Sequence, residues 1–109
     1  MMRIVLICSN VVSAAELDKY LPTETKEVIS LGERSLSDAV KDHLSARGIV
    51  PVDFKPGAGK TDRAQYEKRT AALLGKADVV LASWDGKSAG TKALIDRCSS
   101  MKVPLRVFV

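Results

Sequence analysis

Between residues 83 and 91 the chain reads Ser83-Trp84-Asp85-Gly86-Lys87-Ser88-Ala89-Gly90-Thr91. These residue types suit one kind of chemistry, the holding of an anionic, nucleotide-like ligand. Ser88 and Thr91 carry hydroxyls that can cap a helix or donate to an anion. A helix starting here would add unpaired N–H groups and a favourable dipole. Gly86 and Gly90 allow close backbone approach and left-handed dihedrals. Asp85 can accept from a ribose hydroxyl or a base edge. Trp84, the only tryptophan, can stack on a base or wall a pocket. Plainer roles stay open beside these: helix capping for Ser88, packing over the sheet edge for Trp84.

Three further segments carry polar groups of the same kind. Ser9-Asn10 ends the first apolar run, and Gly32-Glu33-Arg34-Ser35 ends the second. Arg34 can hold a phosphate bidentately, and Glu33 can act as an acid or base. Gly57-Ala58-Gly59-Lys60-Thr61 looks like the tail of a phosphate loop, but Lys55 stands where such a loop needs its leading glycine. His43 falls near the apolar face of a helical pattern and reads as a packing residue. Cys8 and Cys98 read as small buried hydrophobes, with no metal-ligand spacing and no disulfide framework.

The elements that must position these residues follow from hydrophobic period. Apolar runs predict strands over 3–8, 27–30, 49–54, 78–83 and 104–109. Helical patterns lie between them. Ser13 opens a short one to Tyr20 as a capping box. Ser35 caps a second, with Asp38 three residues on and Gly48 at its end. A third runs over about 62–74, burying Tyr66, Thr70, Leu73 and Leu74. The fourth runs from Lys92 to Met101, burying Leu94, Ile95, Cys98 and Met101. Strands alternating with helices predict an α/β fold, a mostly parallel five-stranded sheet with helices on both faces in three layers. In such sheets ligands bind at the carboxyl ends of the strands, where strand order reverses. With strand order 3-2-1-4-5, the loops after strands one and four meet there.

Length and composition bound the function. The 109 residues make one domain, and 46% hydrophobic with 28% charged content is that of a globular chain. The net charge of +4 is spread over the chain in no single run. A mixed solvated surface follows, and nucleic acid is not favoured as the partner. The first apolar run is too short to span a membrane. With no targeting pattern and reduced-looking cysteines, the expected compartment is the cytoplasm. Neither a metal nor a cofactor is implied. Exposed apolar surface on the terminal helices would suit a homo-oligomer.

From Ala77 onward the chain resembles the SLOG superfamily, and within it the small YspA-like group. That group carries an Ala-Asp pair, an apolar strand, Trp-Asp-Gly-x-Ser-x-Gly-Thr and an isoleucine four residues on. Here Ala77, Asp78, Val80, Ala82, Trp84, Asp85, Gly86, Ser88, Gly90, Thr91 and Ile95 stand in register. Arg69 matches the arginine of an Arg-Asn pair on the preceding helix, with Thr70 in place of the asparagine. Ser9 and Gly32 are what is kept of two upstream glycine-containing turns. The resemblance implies a Rossmann-like sheet and a site for a nucleotide or nucleotide derivative, in a sensor-type module. The implied ligand-binding set is Ser9, Asn10, Gly32, Arg34, Ser35, Arg69, Trp84, Asp85, Gly86, Ser88, Gly90 and Thr91. Two other readings stay open. One is an N-glycosidic or phosphoester hydrolase using Glu33 or Asp85. It is related to the family's phosphoribohydrolases, whose Pro-Gly-Gly motif this chain lacks. The other is a scaffold subunit with a decayed pocket.

Overall fold

The computed structural model describes residues 2–9, 12–32, 36–54 and 63–108, the side chains of 63–67 excepted. Nine elements alternate along them: β1 (Met2–Cys8), α1 (Ala14–Tyr20), β2 (Thr25–Gly32), α2 (Asp38–Ala46), β3 (Val50–Asp53), α3 (Arg63–Gly75), β4 (Val79–Ser83), α4 (Ala89–Met101) and β5 (Leu105–Phe108). The strands form one sheet in the order β3-β2-β1-β4-β5, with every pairing parallel. The expected Rossmann-like architecture is what the chain adopts.

The centre of the sheet explains the apolar runs. β1 lies between β2 and β4, and Ile4, Val5, Leu6 and Ile7 are all fully buried. A strand covered on both faces has no solvent side, so its pattern is continuous rather than alternating. Ile4, Leu6 and Cys8 pack with Leu17 of α1 and Val40 and Leu44 of α2. Val5 and Ile7 pack with Leu74 of α3 and Leu94 and Cys98 of α4. Two helices on each face make three layers. Truncating a fully buried leucine such as Leu6 in such a core removes about 2–5 kcal/mol.

Element ends are set by local chemistry. Ser13 caps α1 with the expected box, its side chain accepting from Glu16 N–H. Gly48, at φ 77°, lies just beyond α2. The cap of α2 is Ser37, which accepts from Val40 N–H, and not Ser35. Leu36 decides this: it is buried in the α1–α2 core, so the chain turns helical only after it. Ser35 itself lies outside the described residues, as do Asn10, Glu33, Arg34 and the Gly57–Thr61 string.

Two expected burials are corrected. Met101 keeps 39% of its surface in solvent. His43 is not packed into the core. It is half-buried, and its Nε2 lies 3.0 Å from Asp18, which also pairs with Arg47 and so clamps α2 to α1. Hydrogen bonding to His43, and the charges of His43 and Arg47, hold the Asp18 carboxyl below its ordinary range. No helix among the described residues is long and apolar enough to cross a membrane.

Candidate functional site

The reversal of strand order falls between β1 and β4. There the chain ends of two central strands are tied by one hydroxyl. Ser9, directly after β1, donates from N–H and from Oγ to the Ser83 carbonyl, at 2.9 and 2.8 Å. The same Oγ accepts from Asp85 N–H at 3.2 Å. Ser9 and Ser83 are both buried. Sequence points to Ser9 as a ligand contact; within the chain its hydroxyl splices the two strand ends and fixes the Asp85 backbone over the edge.

Beyond that splice the Trp84–Thr91 segment is held by its own groups. The Asp85 carboxylate accepts from Lys87 N–H at 2.8 Å and Ser88 N–H at 2.9 Å through Oδ1. These bonds, that of Lys87 first, hold its carboxyl below the usual carboxylate range. Asp85 is therefore ionised at neutral pH and poorly placed to donate a proton. Gly86 takes φ 81°, the left-handed dihedral expected of it. Trp84 is half-buried, with its indole N–H donating to Ser88 carbonyl at 3.1 Å and its backbone N–H to Phe108 at 3.0 Å. Its ring is thus pinned at the rim between β4, β5 and the start of α4.

Ser88 is the N-cap of α4, its Oγ accepting from Thr91 N–H at 3.2 Å. α4 begins at Ala89, three residues before the expected Lys92, so Gly90 and Thr91 belong to its first turn. Gly90 is helical and supplies no left-handed turn. What it supplies at that position is a first-turn N–H without a side chain over it. The N–H groups of Ala89 and Gly90 lie outside the intrahelical ladder, as the first N–H groups of any helix do. They sit beside Asp85 and Trp84 at the switch-point corner.

The remaining expected contacts are dispersed. Gly32 ends β2 in register with Cys8, at the neighbouring strand end. Arg69 is exposed midway along α3, and no described contact joins it to the Trp84–Thr91 segment. Next to it, Thr70 is buried and its Oγ1 has no hydrogen-bond partner. Asp78, from the same motif as Trp84, works at the opposite end of the sheet. It accepts from Arg3 N–H at 2.6 Å and donates from its own N–H to the Arg3 carbonyl.

Sequence reading missed a second polar cluster at the β2–β3 side of the edge. Asp53 accepts from Ser30 Oγ at 2.6 Å and pairs with Lys41 Nζ at 2.5 Å. Ser30 is buried. That bond raises Lys41 above its ordinary range, assisted by the charges of Asp53 and Asp38. Burial, with the Asp53 charge adding to it, pushes the nearby Cys8 thiol up to about 12. Cys8 therefore carries no thiolate at neutral pH and is no nucleophile. A hint was available in Asp53, a carboxylate at the carboxyl end of an otherwise apolar strand. No group of three or more histidine, cysteine or carboxylate residues among those described is arranged to hold a metal ion.

Fold and edge together define an open, all-parallel α/β domain of Rossmann-like type. Set against models of known protein families the chain matches none, and no curated protein matches it.

Proposed function

We propose that the chain is a binding module of the SLOG, YspA-like kind, holding a nucleotide or nucleotide derivative where β1 meets β4. The observation that carries this reading is the start of α4. A 13-residue helix opens at the switch point behind a loop in which Trp84, Asp85 and Ser88 already bond within the chain. Its first-turn N–H groups and dipole are left to meet an anion. Trp84 offers a ring face at the same rim, suited to a base. The reading is a sensor rather than a hydrolase working through Asp85, because that carboxylate is committed to the loop backbone. The compartment proposed is the cytoplasm, in keeping with two buried free thiols.

Thermal unfolding in the presence of AMP, ADP, ADP-ribose, NAD, cyclic nucleotides and ribose 5-phosphate tests the reading. A ligand at a hundredfold excess over Kd raises stability by about 2.7 kcal/mol. The discriminating variant is Ala89→Pro. Proline is tolerated at the first helical position and removes one N–H there. Ser88, at φ −65° and ψ 114°, already has the extended backbone a following proline requires. A stabilising ligand should lose most of its effect in Ala89→Pro. Trp84→Ala should weaken nucleotides more than ribose 5-phosphate. A panel with no stabilising member sinks the proposal, as does a shift that Ala89→Pro leaves intact.

A further inference from the structure

The two edge strands offer different backbones to solvent. Phe54 N–H donates to the Ser30 carbonyl of β2. By strand alternation Val50 and Val52 also turn their backbone groups to β2, and Pro51 and Asp53 face outward. Pro51 has no N–H to offer, so the outer row of β3 is blunted against pairing. At the other edge, Pro104 and Phe108 carbonyls accept from Val80 and Trp84 N–H. Arg106 shares their parity and faces β4. Leu105 and Val107 therefore direct both N–H and C=O away from the sheet. Val107 also keeps 43% of its surface in solvent. Among the described residues, three of the four large apolar residues left exposed lie on edge strands (Val50, Val52 and Val107), and Met101 lies on a helix. Sequence reading had placed such surface on the terminal helices.

We propose that β5 is the interface between two copies of this chain, paired antiparallel about a two-fold axis at Val107, so that their sheets continue as one. Register follows from chemistry. Outward-facing residues must stand opposite one another, which puts the axis at 105, 106 or 107. An axis at Arg106 sets two guanidinium side chains directly opposite, which is unfavourable. An axis at Leu105 joins the two less exposed leucines and carries the exposed Val107 out to residue 103, beyond the second strand, so that its apolar surface stays in solvent. An axis at Val107 closes two reciprocal N–H···O bonds between the valines and brings their exposed side chains together.

That last register also places Arg106 opposite Phe108 of the second copy. Phe108 stacks on Tyr20 with ring centroids 4.4 Å apart, and Arg106 already lies 5.5 Å from the Tyr20 centroid of its own chain. Phe108 is buried beneath that stack, so each guanidinium meets the edge of an aromatic pair in the second copy and not another guanidinium. The occupant is a second copy because the strand is self-complementary under this operator. Pro51 on the far edge makes the assembly close at two chains rather than run on as a fibre.

Sedimentation equilibrium of the full chain tests the proposal. Wild-type protein is expected as a reversible two-chain species. Val107→Lys and Val107→Glu, each alone, place like charges at the axis and should sediment as single chains. An equimolar mixture of the two variants should restore the two-chain mass, which misfolded variants would not do. The proposal is overturned by a wild-type chain that stays monomeric at its solubility limit. It is equally overturned by a two-chain species that survives in Val107→Lys, or by a mixture that remains monomeric.

Discussion

Where β1 meets β4, polar groups are satisfied by neutral hydrogen bonds and one surface carboxylate; where β2 meets β3, they are satisfied by a charge pair. Ser9, Ser83, Trp84 and Ser88 form the first corner through hydroxyls and backbone. Ser30, Asp53 and Lys41 form the second, with the ammonium and carboxylate side chains each largely covered. The difference bears on which corner can receive an anion. Lys41 is a cation placed near the strand ends, and its charge is paired with Asp53 within the chain. Among the described residues the β1–β4 corner shows no such ion pair, and the first-turn N–H groups of Ala89 and Gly90 stand outside the helical ladder.

The largest effect expected from breaking this contrast is at Asp53. Asp53→Ala strips a charged partner from Ser30 and Lys41 and should remove about 2 kcal/mol, measured as a shift in urea midpoint. Ser9→Ala should remove about 1–2 kcal/mol, because the Asp85 N–H loses its acceptor. Salt separates the two: the Asp53→Ala loss should shrink as ionic strength rises, and the Ser9→Ala loss should not. Equal salt dependence would contradict the contrast.

Smaller losses belong to the loop. Ser88→Ala removes the α4 cap and should lower stability by about 1 kcal/mol. Gly86→Ala forces a side chain into a left-handed backbone, at a cost of about 1–2 kcal/mol. Both are readable by urea unfolding.

The pH limits should differ in direction. Asp85 titrates below its unfolded value. Its contribution is therefore present above the usual carboxylate range and lost as pH falls through the folded value. Lys41 titrates above its unfolded value. Its contribution is full below the usual ammonium range and lost as pH rises through the folded value. Asp85→Asn should flatten the acid limb of a stability–pH profile, and Lys41→Met the alkaline limb. Exchange of those two outcomes would refute the assignment.

Legibility in the sequence followed the range of the contacts. β1 and β4 are continuous apolar runs, so their place at the centre could be read directly. The Ser13 box and the glycines at 48 and 86 are local chemistry and were equally plain. The start of α4 was hidden by Gly90, a poor helix former held in helix by the Ser88 cap and by the burial of Thr91. Ser35 and Ser37 are interchangeable as caps by type, and only the burial of Leu36 chooses between them. Ser30, Lys41 and Asp53 lie far apart in sequence and meet only through sheet register and a helix crossing. No local pattern announces such a cluster.

The hydroxyl of Ser9 bridges to a residue 74 positions later. During synthesis the first strand is made early, but its second flank arrives only when β4 does. Until then one side of that strand lacks its neighbour, and closing so long a loop is entropically opposed. A ligand seated between the two strand ends would bind only after this closure. It would act as a latch on the finished topology, slowing the separation of β4 from β1 and with it the re-exposure of the strand most prone to pair with the wrong partner.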